Sequence, residues 1–164
     1  MANVSKALAW ITDILSKEGF SYQLVGGLAA RAYGSTRSVL DIDLYIPRSD
    51  LSKILPHVSA YAVQGPTRFV SDLWDVDLLT LEFKGQEIGI NVAEDAKIFD
   101  SIGGRWISTE IDFSDFRLLK VEGVDVPVMP LERLIKYKRI LARDVDLQDI
   151  KEIPEDLRHV FKVA

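Results

Sequence analysis

Between residues 22 and 46 the chain places a run of strand formers, a pair of glycines, an alanine-rich stretch, and then a segment with an acid at every second position. Tyr22–Val25 reads as a short strand. Gly26-Gly27 interrupts it, and Leu28–Tyr33 reads as a short helix closed by Gly34. Val39–Ile46 alternates, with Asp41, Asp43 and Tyr45 on one face and Leu40, Ile42, Leu44 and Ile46 on the other, before Pro47 ends the strand. Strand, glycine turn, helix, then acidic strand is the local order. The apolar face of the acidic strand has to be covered, and the acidic face has to look onto something polar.

Two carboxylates at i and i+2 on a strand point the same way, with Cα atoms roughly 6.6 Å apart. At an effective dielectric near 20 such a pair repels by about 2–3 kcal/mol, so the arrangement calls for compensation. A divalent cation supplies it, and hard oxygen ligands suit Mg²⁺ or Mn²⁺, which complete their shells with water and phosphate oxygens. Gly26 and Gly27 fit the same purpose, since a turn without side chains lets backbone N–H groups approach a phosphate. Ser35, Thr36 and Arg37 arrive just before the acidic strand and can offer hydroxyl and guanidinium donors to the same polyphosphate. The chemistry implied is phosphoryl or nucleotidyl transfer.

Gly26-Gly27, thirteen intervening residues and Asp41-Ile42-Asp43 together resemble the signature of the DNA polymerase beta-like nucleotidyltransferase superfamily. The GG…R-x-T/V-x-D-I-D pattern of its small stand-alone prokaryotic members, the abortive-infection toxin type among them, is similar to Gly26 through Asp43. More loosely, Lys136-Tyr-Lys138…Arg143-Asp144…Asp146…Asp149 resembles the helical tail of that group. The resemblance implies a mixed sheet backed by helices, an NTP with Mg²⁺ (or Mn²⁺) against the glycine turn, and transfer of a nucleoside monophosphate with release of pyrophosphate. It makes Asp41 and Asp43 metal ligands and catalytic residues. The superfamily's third carboxylate matches Asn91 here, a neutral side chain that can ligate weakly and cannot act as a base. Glu87 shares a strand face with Asn91 but stands four residues away, roughly 13 Å at strand rise. Asp75-Val-Asp77 repeats the acidic spacing without a preceding glycine pair, and we read it as an ordinary charged strand end.

The remaining chain predicts a helix from Asn3 to Lys17, a helix through Leu51, Ile54 and Leu55 that Pro56 kinks or shortens, and a hairpin of 76–83 with 86–92. Residues 93–113 read as a helix followed by a loop. A second hairpin is expected from 116–121 and 124–128, and two C-terminal helices over 131–141 and 145–153. The fold class expected is therefore α+β, a mixed β-sheet backed by helices with a helical C-terminal extension. We expect one domain over 1–164, its core about 1–128 and its C-terminal helices about 130–160. Lys136, Lys138 and Arg143 are placed where a helix could carry them to the nucleotide, and Lys136 is taken as a nucleotide contact.

Composition narrows the partners. With 20 Lys+Arg against 25 Asp+Glu the formal charge is −5, which argues against a broad duplex-DNA surface. The chain has no cysteine and only His57 and His159, which removes disulfides, thiolate metal sites and most zinc chemistry. Its N-terminal twenty residues break every apolar run with a charge, as neither a signal peptide nor a membrane span does, and a cytoplasmic location is expected. The leading reading is an enzyme, a Mg²⁺-dependent nucleotidyltransferase using an NTP and an acceptor that is RNA, protein or a small molecule. The alternatives are a catalytically reduced nucleotide- or partner-binding protein, on account of Asn91, and the toxin of a toxin–antitoxin pair. A second copy of the chain or an antitoxin is the expected protein partner.

Overall fold

The structure, a computed structural model, describes residues 2–39 and 41–160; Leu40, expected on the buried strand face, lies outside them. Helix α1 (Ala2–Lys17) is followed by strand β1 (Gln23–Val25), helix α2 (Gly26–Ala32), strand β2 (Asp41–Ile46) and helix α3 (Arg48–Val58). A 3-10 turn at Ser59–Tyr61 leads into β3 (Ala62–Val70), β4 (Trp74–Phe83), β5 (Gln86–Val92), β6 (Lys97–Asp100), β7 (Arg105–Ser108), β8 (Arg117–Val121) and β9 (Val124–Val128). Helices α4 (Leu131–Leu141), α5 (Asp144–Glu152) and α6 (Glu155–Val160) complete the order. No helix among the described residues is long and apolar enough to cross a membrane.

The strands form one mixed sheet in the order β7-β6-β4-β5-β2-β1-β9-β8, with β3 paired to the other side of β4. β2 and β5 run parallel, as do β1 and β9; the remaining pairs are antiparallel. Alternation decides which face is covered. Ile42, Leu44, Ile46, Ile88, Ile90 and Val92 are buried on one side of β2 and β5. Helix α1 packs against β2, β5 and β9, burying Val4, Ala7, Leu8, Ile11 and Leu15 along a single stripe. A helix of this length is marginal alone in water, so the stripe rather than propensity holds it. On the other side of β2, helix α2 packs against the strand, and α4 and α5 pack on each other and on α2.

Two expectations are corrected, and two elements, β3 and α6, are added. Residues 93–113 contain the β6–β7 hairpin rather than a helix, with Gly103-Gly104 in its connection and Asp100 Oδ1 accepting from the Ile102 and Gly103 N–H groups. Its strands are only four residues each, too short to show an alternation. Strand β3 was not visible in sequence because it is almost wholly exposed and its pairing with β4 slips twice, around Gln64 and again before Thr67. Pro56 does not stop α3, which continues to Val58. The third C-terminal helix, α6, adds to the two expected. The C-terminal helices are no loose extension: Tyr33 Oη donates to the Met129 carbonyl at 2.8 Å, and Ser35 and Arg37 bond to α5.

Candidate active site

The site begins where β1 meets α2. Val25, preceding α2, gives no side-chain cap, and Gly26 takes φ +72°, a conformation that disfavours a side chain. A Cβ at Gly26 would lie 3.1 Å from Asp43 Oδ2, and one at Gly27 would lie 2.7 Å from Arg37 Nη2. The two glycines thus let an acid and a guanidinium close on the turn from different sides. β1 and β2 are antiparallel neighbours with Val25 opposite Asp43, which is why residues 18 positions apart in the chain meet.

β5 supplies the opposite wall. In the parallel register Asp41 stands opposite Glu87, Asp43 opposite Gly89, and Tyr45 opposite Asn91. A Cβ at Gly89 would approach Asp43 Oδ1 to 2.8 Å, so glycine there makes room for the carboxylate. Glu87, four residues from Asn91 along β5, is the partner of Asp41 across the pair. Asn91 donates from Nδ2 to the Leu44 carbonyl at 3.1 Å.

These groups line a cavity of about 350 Å³, which Arg37, Trp74, Tyr137 and Arg143 also border. Removal from water pushes the Asp43 carboxyl up to about 7, aided by Asp41 and Glu87 and opposed by Arg143 and Lys138. No hydrogen bond from any described residue reaches the Asp43 side chain. Among the described residues no three His, Cys, Asp or Glu side chains gather tightly enough to hold a metal by themselves. Two acids alone are what Mg²⁺ ordinarily takes from a protein, the rest of its shell being water and phosphate.

The other expected contacts divide. Arg37 borders the cavity, but its Nε and Nη2 are held by Asp149 at 3.0 and 2.9 Å. Ser35 is buried and donates to Asp149 Oδ1 at 2.7 Å, while the Thr36 N–H donates to Glu152 at 2.8 Å. Ser35 and Thr36 thus bond α5 carboxylates, and neither is among the residues that line the cavity. That Thr36 bond, with Gln148 and Ser35, holds the Glu152 carboxyl at about 2. Lys136 is exposed and borders a second cavity with Ile98, Met129 and Ile140, not the one at Asp43. Asp75 and Asp77 pair with Arg68 and Arg48, as an ordinary charged strand end would. Trp74 and Tyr137 border the cavity without having been singled out from the sequence, and Glu87, weighed there only against Asn91, borders it too. Trp74 Nε1 donates to Tyr137 Oη at 3.0 Å, and the Arg143 guanidinium lies 4.7 Å from the Trp74 ring centre.

No protein-family model matches the chain. No curated protein sequence matches it either. Solved structures do. A candidate nucleotidyltransferase from Thermotoga maritima is 19% identical, with all of this chain and 96% of that one aligned at a TM-score of 0.69. The antibiotic-resistance factor ANT(2'')-Ia, solved in complex with adenylyl-2''-tobramycin, is 13% identical over 98% of this chain and 97% of its own, at a TM-score of 0.61. Its solution structure gives 11% identity over 98% and 90%, at 0.59. At such identities the likeness establishes architecture, and it does so over whole chains: the mixed sheet and its helices, including those at the C-terminus, form a nucleotidyltransferase fold.

Proposed function

We propose that the protein is a nucleotidyltransferase that moves a nucleoside monophosphate from an NTP to an acceptor hydroxyl, releasing pyrophosphate. One observation carries this reading: the Asp43 carboxylate, which no described residue hydrogen-bonds, lies against the glycine turn, with Asp41 beside it on the strand face. A carboxylate so enclosed with a second acid nearby fits a hard divalent cation, Mg²⁺ or Mn²⁺, with Asp41 and Asp43 as its protein ligands. Such an ion, when bound, supplies positive charge to the phosphate oxygens and the attacking hydroxyl.

The chain's own groups do the rest. Gly26 and Gly27 leave their backbone open to the phosphates, and Arg37 offers the guanidinium hydrogens that Asp149 does not take. The acceptor oxygen attacks the α-phosphorus, the bond to pyrophosphate breaks, and the hydroxyl proton passes to a carboxylate of the cavity. Asn91 can lend a carbonyl oxygen but cannot take that proton; Glu87, opposite Asp41, can. Asn91 also favours a second reading, a site that binds nucleotide with reduced turnover, since its amide is already engaged with Leu44.

The test is incubation with labelled NTPs and Mg²⁺ or Mn²⁺, alone and with tRNA or lysate, comparing the protein with Asp41→Ala/Asp43→Ala and Asn91→Asp. Label transfer that disappears in the double variant supports the enzyme. Transfer gained only with Asn91→Asp supports the reduced site, and transfer that survives the double variant refutes the assignment of the acids.

A further inference from the structure

The corner between α4 and α5 brings a second guanidinium to the cavity, and a buried ion cluster stands behind it. Lys138, Asp146 and Asp149 are each no more than 1% exposed. Lys138 Nζ lies 3.2 Å from Asp146 Oδ1 and 2.9 Å from Asp149 Oδ2. Each aspartate in turn grips one arginine with both oxygens: Asp149 holds Arg37, and Asp146 holds Arg143 through Nε at 2.7 Å and Nη2 at 3.0 Å. Burial works against the Asp149 carboxylate, but its bonds from Arg37, Lys138 and Ser35 outweigh this and hold it below the usual carboxylate range. Both aspartates thus sit between one lysine and two arginines.

Three cations against two anions leave the cluster with an excess of positive charge. Glu152, half-buried, bonds Ser35 and Thr36 and pairs with none of these three cations. The excess lies on the cavity side. Arg37 and Arg143, with side chains 21% and 38% exposed, both border the cavity and lie close enough to repel each other. The Trp74 ring supports Arg143 from one face. Two fixed like charges converging on one opening, each with its donors partly committed, are the arrangement that receives a polyanion.

We infer that Arg143 is the second phosphate-binding guanidinium of the cavity, paired with Arg37, and that Asp146 and Lys138 are positioning residues that fix it there. The inference rests on the cavity being the nucleotide site and adds to it a contact from the C-terminal helices. Arg37 arrives from the α2–β2 connection and Arg143 from the α4–α5 turn, so the phosphate chain would lie between two segments that are more than a hundred residues apart in sequence.

A binding experiment without metal separates this from the reaction. In an Asp41→Asn/Asp43→Asn background, with EDTA, the acids no longer repel an anion and no divalent ion bridges it. Titration calorimetry with inorganic pyrophosphate should then show binding that Arg143→Lys weakens by about tenfold, since lysine keeps the charge but loses the fork. Asp146→Asn should weaken it comparably, and Asp146→Asn combined with Arg143→Lys should be no weaker than Arg143→Lys alone. Circular dichroism melts on the same samples exclude an unfolded variant as the cause. Absence of pyrophosphate binding, an Arg143→Lys affinity equal to its background, or an Asp146→Asn loss that persists in the lysine variant overturns the inference. The two conclusions fail separately. Arginine-dependent binding with no nucleotide transfer by the unmodified protein keeps the clamp and removes the enzyme. Transfer with Arg143-independent binding does the reverse.

Discussion

Replacing Asp43 by asparagine should make the metal-free protein more stable at neutral and alkaline pH, and the size of the gain follows from the carboxyl's surroundings. Its pKa is raised from 3.8 to about 7, chiefly by burial and then by Asp41 and Glu87. A carboxyl whose folded pKa lies above its unfolded one binds its proton more tightly when folded. The Asp43 contribution to stability is therefore most favourable below about pH 4, declines as pH rises toward 7, and stays reduced above it. Three units at 1.36 kcal/mol each set a ceiling of about 4 kcal/mol, and solvent entering the cavity reduces this to roughly 2–4 kcal/mol. In a domain of this size that corresponds to a rise of about 4–16 °C in Tm. The assay is scanning calorimetry of Asp43→Asn and the unmodified protein in EDTA at pH 4, 6 and 8.5. The difference should be small at pH 4 and widen with pH, and millimolar Mg²⁺ should narrow it at pH 8.5 by stabilising only the protein that retains the carboxylate. A gain that is independent of pH, or a loss at pH 8.5, would refute the account of Asp43 as an uncompensated buried acid.

Other substitutions probe the same region. Gly89→Ala places a methyl 2.8 Å from Asp43 Oδ1; we expect a loss of about 1–3 kcal/mol in urea unfolding, with the carboxylate displaced. Asn91→Asp removes the donor to the Leu44 carbonyl and adds a negative charge near Asp43, which should cost about 1–3 kcal/mol without metal, most of it recovered below pH 4. Lys138→Met leaves Arg143 as the only cation on Asp146 and Arg37 as the only one on Asp149, and a destabilisation of about 3–5 kcal/mol by the same measurement is expected. Leu8→Ala, at a fully buried α1 position, should cost about 2–5 kcal/mol and leave the pH dependence of stability unchanged, which makes it the control for the others.

What could be read from the sequence was what is local. The glycine pair and the two aspartates fall within 18 residues, and strand alternation alone put both acids on one face, so the heart of the cavity was visible before any coordinates. Helix α1 was visible for the same reason, its stripe repeating at helical period. What the sequence concealed depends on pairing between distant segments. Glu87 becomes a partner of Asp41 only through the parallel register of β5 on β2, and counting residues from Asn91 pointed away from it. Ser35 and Thr36 looked like phosphate donors because they precede the acidic strand, yet the α5 carboxylates claim both. The β6–β7 hairpin escaped because four-residue strands with mostly exposed or half-buried side chains leave no periodic trace.

Strand β3 is a boundary of the sheet. It hydrogen-bonds β4 on one side, and no other described strand pairs with it. Such a row of free amide groups, with Val63 and Val70 60% and 65% exposed, invites a neighbouring molecule to add itself as a further ribbon. Pro66 removes one donor from that row, the two slips of register bend it, and Arg68 sets a charge beside it. Crowded solutions should therefore meet an edge that is too interrupted to template, and smoothing it with a regular run of valine and threonine should favour fibre formation.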